Sequence, residues 1–139
     1  MAALRLSAVI DASAMTEVLL PARKNAELTR RLLTSNCVAP EFLDLEVLQV
    51  IRREFRCGNL TDHAASLVAK QLENATVYRA PFRTLLKRVW ELRHTVTAYD
   101  AAYVALAEQL DVPLVTCDAR PAKAHGHDAR VEFYPRSSL

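Results

Sequence analysis

Short apolar runs alternate with longer amphipathic segments along most of the chain. The runs at residues 7–10, 38–39, 76–79, 114–116 and 131–134 predict strands. Apolar residues at helical spacing predict helices over residues 12–20, 25–35, 41–57, 61–74, 82–93, 97–110 and 119–124. Because parallel neighbours need crossover connections, this alternation predicts an α/β fold of three layers around a mostly parallel sheet.

The length and composition predict one ordinary globular domain, residues 1–139. A chain of 139 residues is of single-domain size, and 51% hydrophobic with 24% charged residues excludes the disordered and fibrous classes. Only two glycines are present, which excludes both the Walker loop and the dinucleotide-binding G-x-G-x-x-G motif. No apolar run approaches the ~20 residues that span a bilayer, and the first seven residues carry no signal-peptide segment. We therefore expect a cytoplasmic protein without membrane contacts.

The cysteines and histidines lack the spacing of zinc sites or disulfide frameworks. Cys37, Cys57 and Cys117 are odd in number and far apart, so we expect free, buried thiols in a reducing compartment. The pair His125 and His127 is a metal candidate, for which a solvated loop is the simpler interpretation.

Two carboxylates closely follow predicted strands. Asp11 comes directly after the first strand, and Asp118 lies two residues after the strand at 114–116. Ligands bind beyond the carboxyl ends of the strands in open parallel sheets, so both side chains should reach the same rim. Each could also simply cap the helix that follows it, a role to which Asp is well suited.

Two further carboxylates lie on predicted helices without a basic partner one turn away. The helical neighbours of Glu46 include Phe42 and Val50, and a carboxylate on such a largely apolar face is costly unless its charge is compensated. The alternative is that Glu46 lies at the edge of this face and extends into solvent. Asp100 also lacks a basic partner, although Thr97, three residues earlier, makes it a candidate for a capping box.

Four acids that meet at one rim repel one another unless a cation compensates them. Mg²⁺ or Mn²⁺ is the simplest compensation, because both ions take oxygen ligands. Such an ion beside a phosphodiester activates water and neutralises developing charge, and a second ion ~4 Å away can stabilise the leaving oxygen. The chain has no G-x-S-x-G elbow and no Cys–His pair in a usable context. These features favour phosphoryl-transfer chemistry without a nucleophilic side chain.

Four ordered segments carry a family resemblance that covers nearly the whole chain. They are VIDASA at residues 9–14, APEFLDLEV at 39–47, YDAAYVALA at 99–107 and PLVTCD at 113–118. Together they resemble PIN-domain proteins, in particular the VapC-type ribonuclease toxins of bacterial type II toxin–antitoxin systems. The resemblance implies about five parallel strands flanked by helices and a Mg²⁺- or Mn²⁺-dependent endoribonuclease. It also implies a homodimer and a complex with a small cognate antitoxin.

The resemblance assigns roles to residues that match the family's motifs. The positions that match its catalytic acidic quartet are Asp11, Glu46, Asp100 and Asp118. The three aspartates would bind the metal, while Glu46 would hold a water on the cation or position the cation from the opposite wall. Ser13 and Thr116 match small hydroxyl positions that support the metal ligands. Some relatives carry a further acid after the fourth one, where this chain has Ala119 and Arg120.

RNA binding requires cationic surface, because phosphate contacts supply most of the affinity. Arg120 and Lys123 are the leading RNA-binding candidates, because they follow Asp118 near the expected scissile phosphate. The other basic clusters are more simply interpreted as solvated helix faces. Since only 6% of the residues are aromatic, we expect little base stacking and recognition through RNA shape and single-stranded loops.

The first two predicted helices have apolar faces that are candidates for partner contacts or, equally, for the core. Their members are Met15, Val18, Leu19, Leu28, Leu32 and Leu33.

Two other functions are compatible with this fold class. A catalytically silent interaction module would bind a basic segment of a partner protein through the acidic rim, although the presence of all four acids favours the enzyme. A haloacid-dehalogenase-like phosphoacceptor would need a second Asp two residues after Asp11, where Ser13 stands.

Overall fold

Five short parallel strands form the centre of the computed structural model, which describes residues 5–23 and 25–136. The strands are β1 (Ala8–Ile10), β2 (Cys37–Pro40), β3 (Val77–Ala80), β4 (Leu114–Thr116) and β5 (Val131–Phe133). Their order in the sheet is β3-β2-β1-β4-β5, and all four pairings are parallel. Two predictions extend beyond the described residues. The segment predicted to lack a signal peptide includes residues 1–4, and the predicted domain includes residues 137–139.

Helices cover both faces of this sheet. Within the described residues they are α1 (Ala12–Leu19), α2 (Ala26–Leu33), α3 (Leu43–Arg56), α4 (Asp62–Asn74), α5 (Leu86–Glu91), α6 (Ala98–Leu110) and α7 (Arg120–Lys123). Helix α1 contacts α2, α3 and α4 in one layer, whereas α6 packs against β1, β2 and β4 with α5 beside it. The predicted three-layer α/β fold is therefore confirmed.

The core depends on short strands that are buried on both faces and on one helix that is buried almost all round. Each residue of β1 is at most 1% exposed, as expected for a strand covered by helices on both faces. Residues 101–107 of α6 are all buried, and four of these seven are alanines. Such small side chains let α6 lie close against the sheet, which places its first turn near the strand ends.

The order in which strands are added to the sheet reverses between β1 and β4, and the candidate site lies at this switch point. Strand β1 pairs with β2 on one side and with β4 on the other, where Ile10 lies opposite Val115. The Asp11 N–H continues this ladder by donating to the Val115 carbonyl at 3.3 Å. Open α/β sheets bind ligands in the crevice at such a switch point, beyond the carboxyl ends of the strands.

The helix predicted over residues 82–93 is shorter in the structure. A 3₁₀ turn, Arg83–Leu85, precedes α5, and the Leu92 N–H closes α5 by donating to the Arg88 and Val89 carbonyls. None of the residues in α5 is buried, and Trp90 is 67% exposed. Val89 is the one residue of α5 that packs against the core, and it is only partly buried, so tertiary packing does little to stabilise a longer helix here.

Two further predictions concern the burial of the cysteines and the absence of a membrane-spanning segment. All three thiols are free, but only Cys37 and Cys117 are buried. The prediction of burial is wrong for Cys57, because this residue ends α3 immediately before Gly58 and no element covers it. No helix in the described part of the chain combines the length and apolar character needed to cross a bilayer.

Candidate active site

Asp11 is the most buried carboxylate of the predicted quartet, and it directly follows β1. Its Oδ1 accepts hydrogen bonds from the Ser13 hydroxyl (2.6 Å) and from the Ala14 N–H (2.9 Å), so Asp11 does cap α1. Its Oδ2 accepts from the Thr116 hydroxyl. Burial raises the pKa of Asp11, although these donors act in the opposite direction, and the nearby Asp100 raises it further. Asp11 therefore caps α1 and also interacts electrostatically with a second acid, Asp100.

Ser13 and Thr116 connect the carboxyl ends of β1 and β4. Besides bonding to Asp11, the Ser13 hydroxyl accepts from the Cys117 N–H at 2.9 Å, and the Thr116 hydroxyl accepts from the Asp118 N–H at 2.9 Å. Thr116 is completely buried. Both hydroxyls therefore contact the residues that the resemblance places beside them.

Glu46 finds its partner on α6 rather than on its own helix α3. The Tyr103 hydroxyl donates to Glu46 Oε1 at 2.6 Å, and the carboxylate is half-buried instead of extending into solvent. Burial raises the pKa of Glu46 and the Tyr103 bond opposes that rise, while Asp100 and Asp11 add to it. Sequence reasoning missed Tyr103, whose polar hydroxyl in a buried, alanine-rich helix was the available signal.

Asp100 lies in the first turn of α6. The Thr97 hydroxyl caps this helix by accepting from the Asp100 N–H at 3.2 Å, which fixes where the turn begins. Burial raises the pKa of Asp100, the Arg120 guanidinium 3.9 Å away lowers it, and Asp118 raises it. Asp100 is thus electrostatically coupled to the other three acids of the quartet.

Asp118 is held by a local ion pair with Arg120, the first residue of α7. Its carboxylate accepts from the Arg120 N–H (2.9 Å) and side chain, with Nε at 2.8 Å and Nη2 at 2.5 Å from Oδ2. This pairing lowers the pKa of Asp118. The Arg120 side chain remains 72% exposed. Arg120 therefore lies between Asp118 and Asp100, where it compensates part of their charge.

All four predicted acids line one cleft with a volume of about 540 Å³. Its charged lining comprises five carboxylates and four guanidiniums, from Asp11, Glu46, Glu54, Asp100, Asp118, Arg23, Arg53, Arg120 and Arg136. With all nine groups ionised, the formal charge of the cleft lining is −1. One bound divalent cation would change this charge to +1. Lys123 is exposed on α7 and does not line the cleft, so of the two predicted RNA-binding residues only Arg120 lies at the acidic site.

The donor set suits a hard divalent cation, although it does not form a preassembled cage. As placed, no three His, Cys, Asp or Glu side chains within residues 5–23 and 25–136 are arranged to hold a metal ion. The hydrogen bonds already described engage Asp11, and Arg120 engages Asp118. Mg²⁺ commonly binds proteins through one or two carboxylates plus retained waters, which this rim of oxygen ligands can supply. By contrast, the His127 ring lies 2.7 Å from the Pro121 carbonyl and so has a protein partner already.

Comparisons with known proteins match this architecture. The PIN domain family model matches residues 8–126. The chain is 41% identical to Ribonuclease VapC12 of Mycobacterium tuberculosis, over 90% of this chain and 97% of the relative. It is 39% identical to Ribonuclease VapC1 of the same organism, over 90% and 96% of the two chains. Among solved structures, PAE2754 from Pyrobaculum aerophilum superposes with a TM-score of 0.67 at 25% identity, over 93% of this chain and 85% of the other.

Proposed function

This chain belongs to the PIN-domain family, as a VapC-type ribonuclease toxin, and on that premise we propose that it is a Mg²⁺- or Mn²⁺-dependent endoribonuclease. It hydrolyses RNA phosphodiester bonds as the toxin of a toxin–antitoxin pair. The observation that carries the proposal is the meeting of four carboxylates, from four separate segments of the chain, in one cleft at the switch point of the sheet.

Asp11, Asp100 and Asp118 are the proposed ligands of the cation. Asp11 is fixed in position by its three hydrogen bonds, whereas Asp118 would have to release Arg120 in order to hold the cation. A bound divalent cation supplies charge neutralisation at the scissile phosphate and lowers the pKa of a coordinated water. This chemistry needs no nucleophilic side chain.

Glu46 accepts a proton from the attacking water as the water oxygen bonds to phosphorus, while the P–O bond to a ribose oxygen breaks and that oxygen takes up a proton from solvent. Its Oε1 already accepts from Tyr103, so Oε2 is the atom that receives this proton. The raised pKa of Glu46 suits this role, because a general base is most effective when its pKa approaches the working pH. Tyr103 thereby serves as a positioning residue, which orients the carboxylate from α6.

Arg120 is the proposed ligand of the phosphate, because it would be released from Asp118 if Asp118 held the cation. Its guanidinium is mostly exposed and lies beside two of the proposed ligands. Guanidinium groups bind phosphate oxygens through two parallel hydrogen bonds, a geometry that also orients the substrate. Arg120 is therefore a counter-charge for the acids in the free protein and a phosphate ligand in the complex.

We further infer a cognate antitoxin and a homodimer as partners. The VapC-type relatives support the antitoxin, and the exposed side of the first two helices supplies apolar surface. Leu33 is 81% exposed and lines a groove between α1 and α2 together with Val18 and Leu19. Met15 and Leu28, also considered as contact residues, are buried in the core and cannot contribute to either interface.

The test is RNA cleavage by the purified protein, with the 5′ ends of the products mapped by sequencing. We expect cleavage that requires Mg²⁺ or Mn²⁺, stops with a chelator and disappears in Asp100→Asn. Asp62→Asn is the matched control, because Asp62 is an exposed aspartate in the first turn of α4 and lies outside the cleft. Equal cleavage by the parent and Asp100→Asn contradicts the proposed site. A parent that cleaves no RNA but binds a basic peptide through the cleft supports the silent interaction module instead.

A further inference from the structure

One wall of the acidic cleft is aromatic. Phe42, Phe82, Tyr99 and Tyr103, four of the nine aromatic residues in the chain, form a single cluster. The Phe42 ring is at its centre and makes edge-to-face contacts, with centroid distances of 5.4 Å to Phe82, 5.2 Å to Tyr99 and 5.5 Å to Tyr103. Contacts of this geometry stabilise aromatic pairs beyond the area they bury. The cluster therefore holds its outer rings in defined positions.

Exposure increases outward through this cluster. Tyr103 is 2% exposed and Phe42 is partly buried, whereas Tyr99 is 58% exposed. Phe42, Tyr99 and Tyr103 all line the cleft. An exposed aromatic ring is common by itself, but one that packs edge-to-face against a second ring and lines a polar cleft has fewer conformations to lose when a ligand binds. Such preorganisation lowers the entropic cost of binding.

Two exposed residues of the cleft directly precede acids of the quartet in the sequence. Tyr99 directly precedes Asp100, so their Cα atoms are ~3.8 Å apart. Leu45 directly precedes Glu46, is 70% exposed and also lines the cleft. Two of the four acids are thus each preceded by an exposed apolar side chain in the same cleft. A ligand of the acids and their cation has an apolar surface available to it at the same time.

The combination of groups fits a nucleotide better than a peptide. Guanidiniums and a carboxylate-bound cation bind phosphate, and a neighbouring aromatic ring binds the flat face of a base. A base within a duplex is already stacked on both faces, so only an unpaired base can use the ring. The expectation of little base stacking, which followed from the low aromatic content, did not anticipate that three of the nine aromatic rings would line the cleft.

We propose that Tyr99, which packs against Phe42 and lines the cleft together with Leu45, stacks on an unpaired base of the RNA next to the phosphate at the acidic site. This inference rests on the proposed ribonuclease function and adds a base-binding residue to it, in keeping with the single-stranded loops expected from the sequence. Tyr99 is a binding residue in this assignment and takes no part in the transfer of protons.

Binding measurements test the stacking contact. In a Glu46→Gln background, which slows hydrolysis and retains the three aspartates, Mg²⁺-dependent binding of a labelled single-stranded RNA is followed by fluorescence anisotropy. Stacking energies predict that Tyr99→Ala weakens binding by roughly 5- to 100-fold. Tyr99→Phe retains the ring and restores the affinity. Tyr78→Ala is the matched control, because Tyr78 is 55% exposed but lies outside the cleft.

Removing the base from the substrate provides a second test, in which the parent protein itself is unchanged. A set of RNAs is prepared, each with one abasic position near the mapped cleavage site. For one of these RNAs, the parent protein should cleave as slowly as Tyr99→Ala cleaves the intact RNA. The two losses should not add, because both remove the same contact. Additive losses, or unchanged binding by Tyr99→Ala, overturn the stacking contact alone. A parent that cleaves no RNA overturns both this contact and the proposed function.

Discussion

The two central strands of the sheet end in carboxylates with contrasting environments. Asp11, after β1, is 7% exposed and is bound by Ser13, Thr116 and the backbone of α1. Asp118, after β4, is bound by one exposed side chain two residues away, Arg120. The first arrangement is completed only when β1 and β4 pair, because Thr116 lies on β4, whereas the second joins residues two positions apart through an exposed side chain, and we expect it to be reversible. One half of the site is therefore set by folding, and we expect the other half to respond to ligands.

The strongest test of this contrast is the loss of the buried carboxylate, Asp11, which is a proposed metal ligand. Asp11→Asn should reduce metal-dependent RNA cleavage by more than ~100-fold, because even residues that only support metal ligands are commonly worth 10- to 100-fold. Cleavage rates at saturating Mg²⁺ measure the effect, and far-UV circular dichroism checks that the fold is retained. Activity close to that of the parent would remove Asp11 from the site.

Thr116→Val tests whether the buried half contributes to stability. The substitution conserves the shape of a completely buried side chain but leaves Asp11 Oδ2 and the Asp118 N–H without their partner. We expect a decrease of about 1–3 kcal/mol in the free energy of unfolding, measured by urea denaturation. Thr84→Val, at an exposed threonine, should change it by less than ~0.5 kcal/mol. Equal effects of the two substitutions would contradict the buried network.

Arg120→Ala tests the reversible half. Exposed ion pairs contribute about 0–1 kcal/mol, so stability should hardly change. In the proposed site the guanidinium competes with the cation for Asp118, so its removal should tighten Mn²⁺ binding by up to ~5-fold in titration calorimetry, while RNA binding weakens. Arg130→Ala is the control, because Arg130 forms a similar exposed pair with Asp111. Weaker Mn²⁺ binding by Arg120→Ala would mean that the arginine assists the cation instead.

The smallest expected effect is the pH dependence of stability in the chelated protein. Since the folded-state pKa of Asp100 is raised, the folded protein retains a proton that the unfolded chain has released. Its free energy of unfolding should therefore fall as the pH rises through the interval between the two pKa values. Asp118 has a lowered pKa and should contribute the opposite slope, at pH values below its ordinary pKa. Denaturation midpoints from pH 3 to 7 should show a flatter fall in Asp100→Asn; an unchanged slope would contradict the contribution of Asp100.

The fold and the four acids that line the cleft could be predicted from the sequence, because these features depend mainly on local sequence patterns. Strand–helix alternation determines the layers, and Asp11 and Asp118 are one and two residues beyond strands whose carboxyl ends must meet. The partners of these acids were less accessible, because they depend on contacts between distant segments. Glu46 and Tyr103 are 57 positions apart, so the helical neighbours of Glu46 could not reveal its hydrogen bond. The gathering of the aromatic rings around Phe42 was hidden for the same reason.

The exposure of a single cysteine at the end of α3 offers an experimental opportunity. Cys57 is accessible, while Cys37 and Cys117 are buried and burial raises the pKa of Cys117 to about 12. A maleimide dye or nitroxide should therefore attach selectively to the natural protein without engineered thiols. Helix α3 carries Glu46 eleven residues earlier, roughly 16 Å along its axis. A probe at this distance can report the arrival of Mn²⁺ or labelled RNA without touching the groups that bind them.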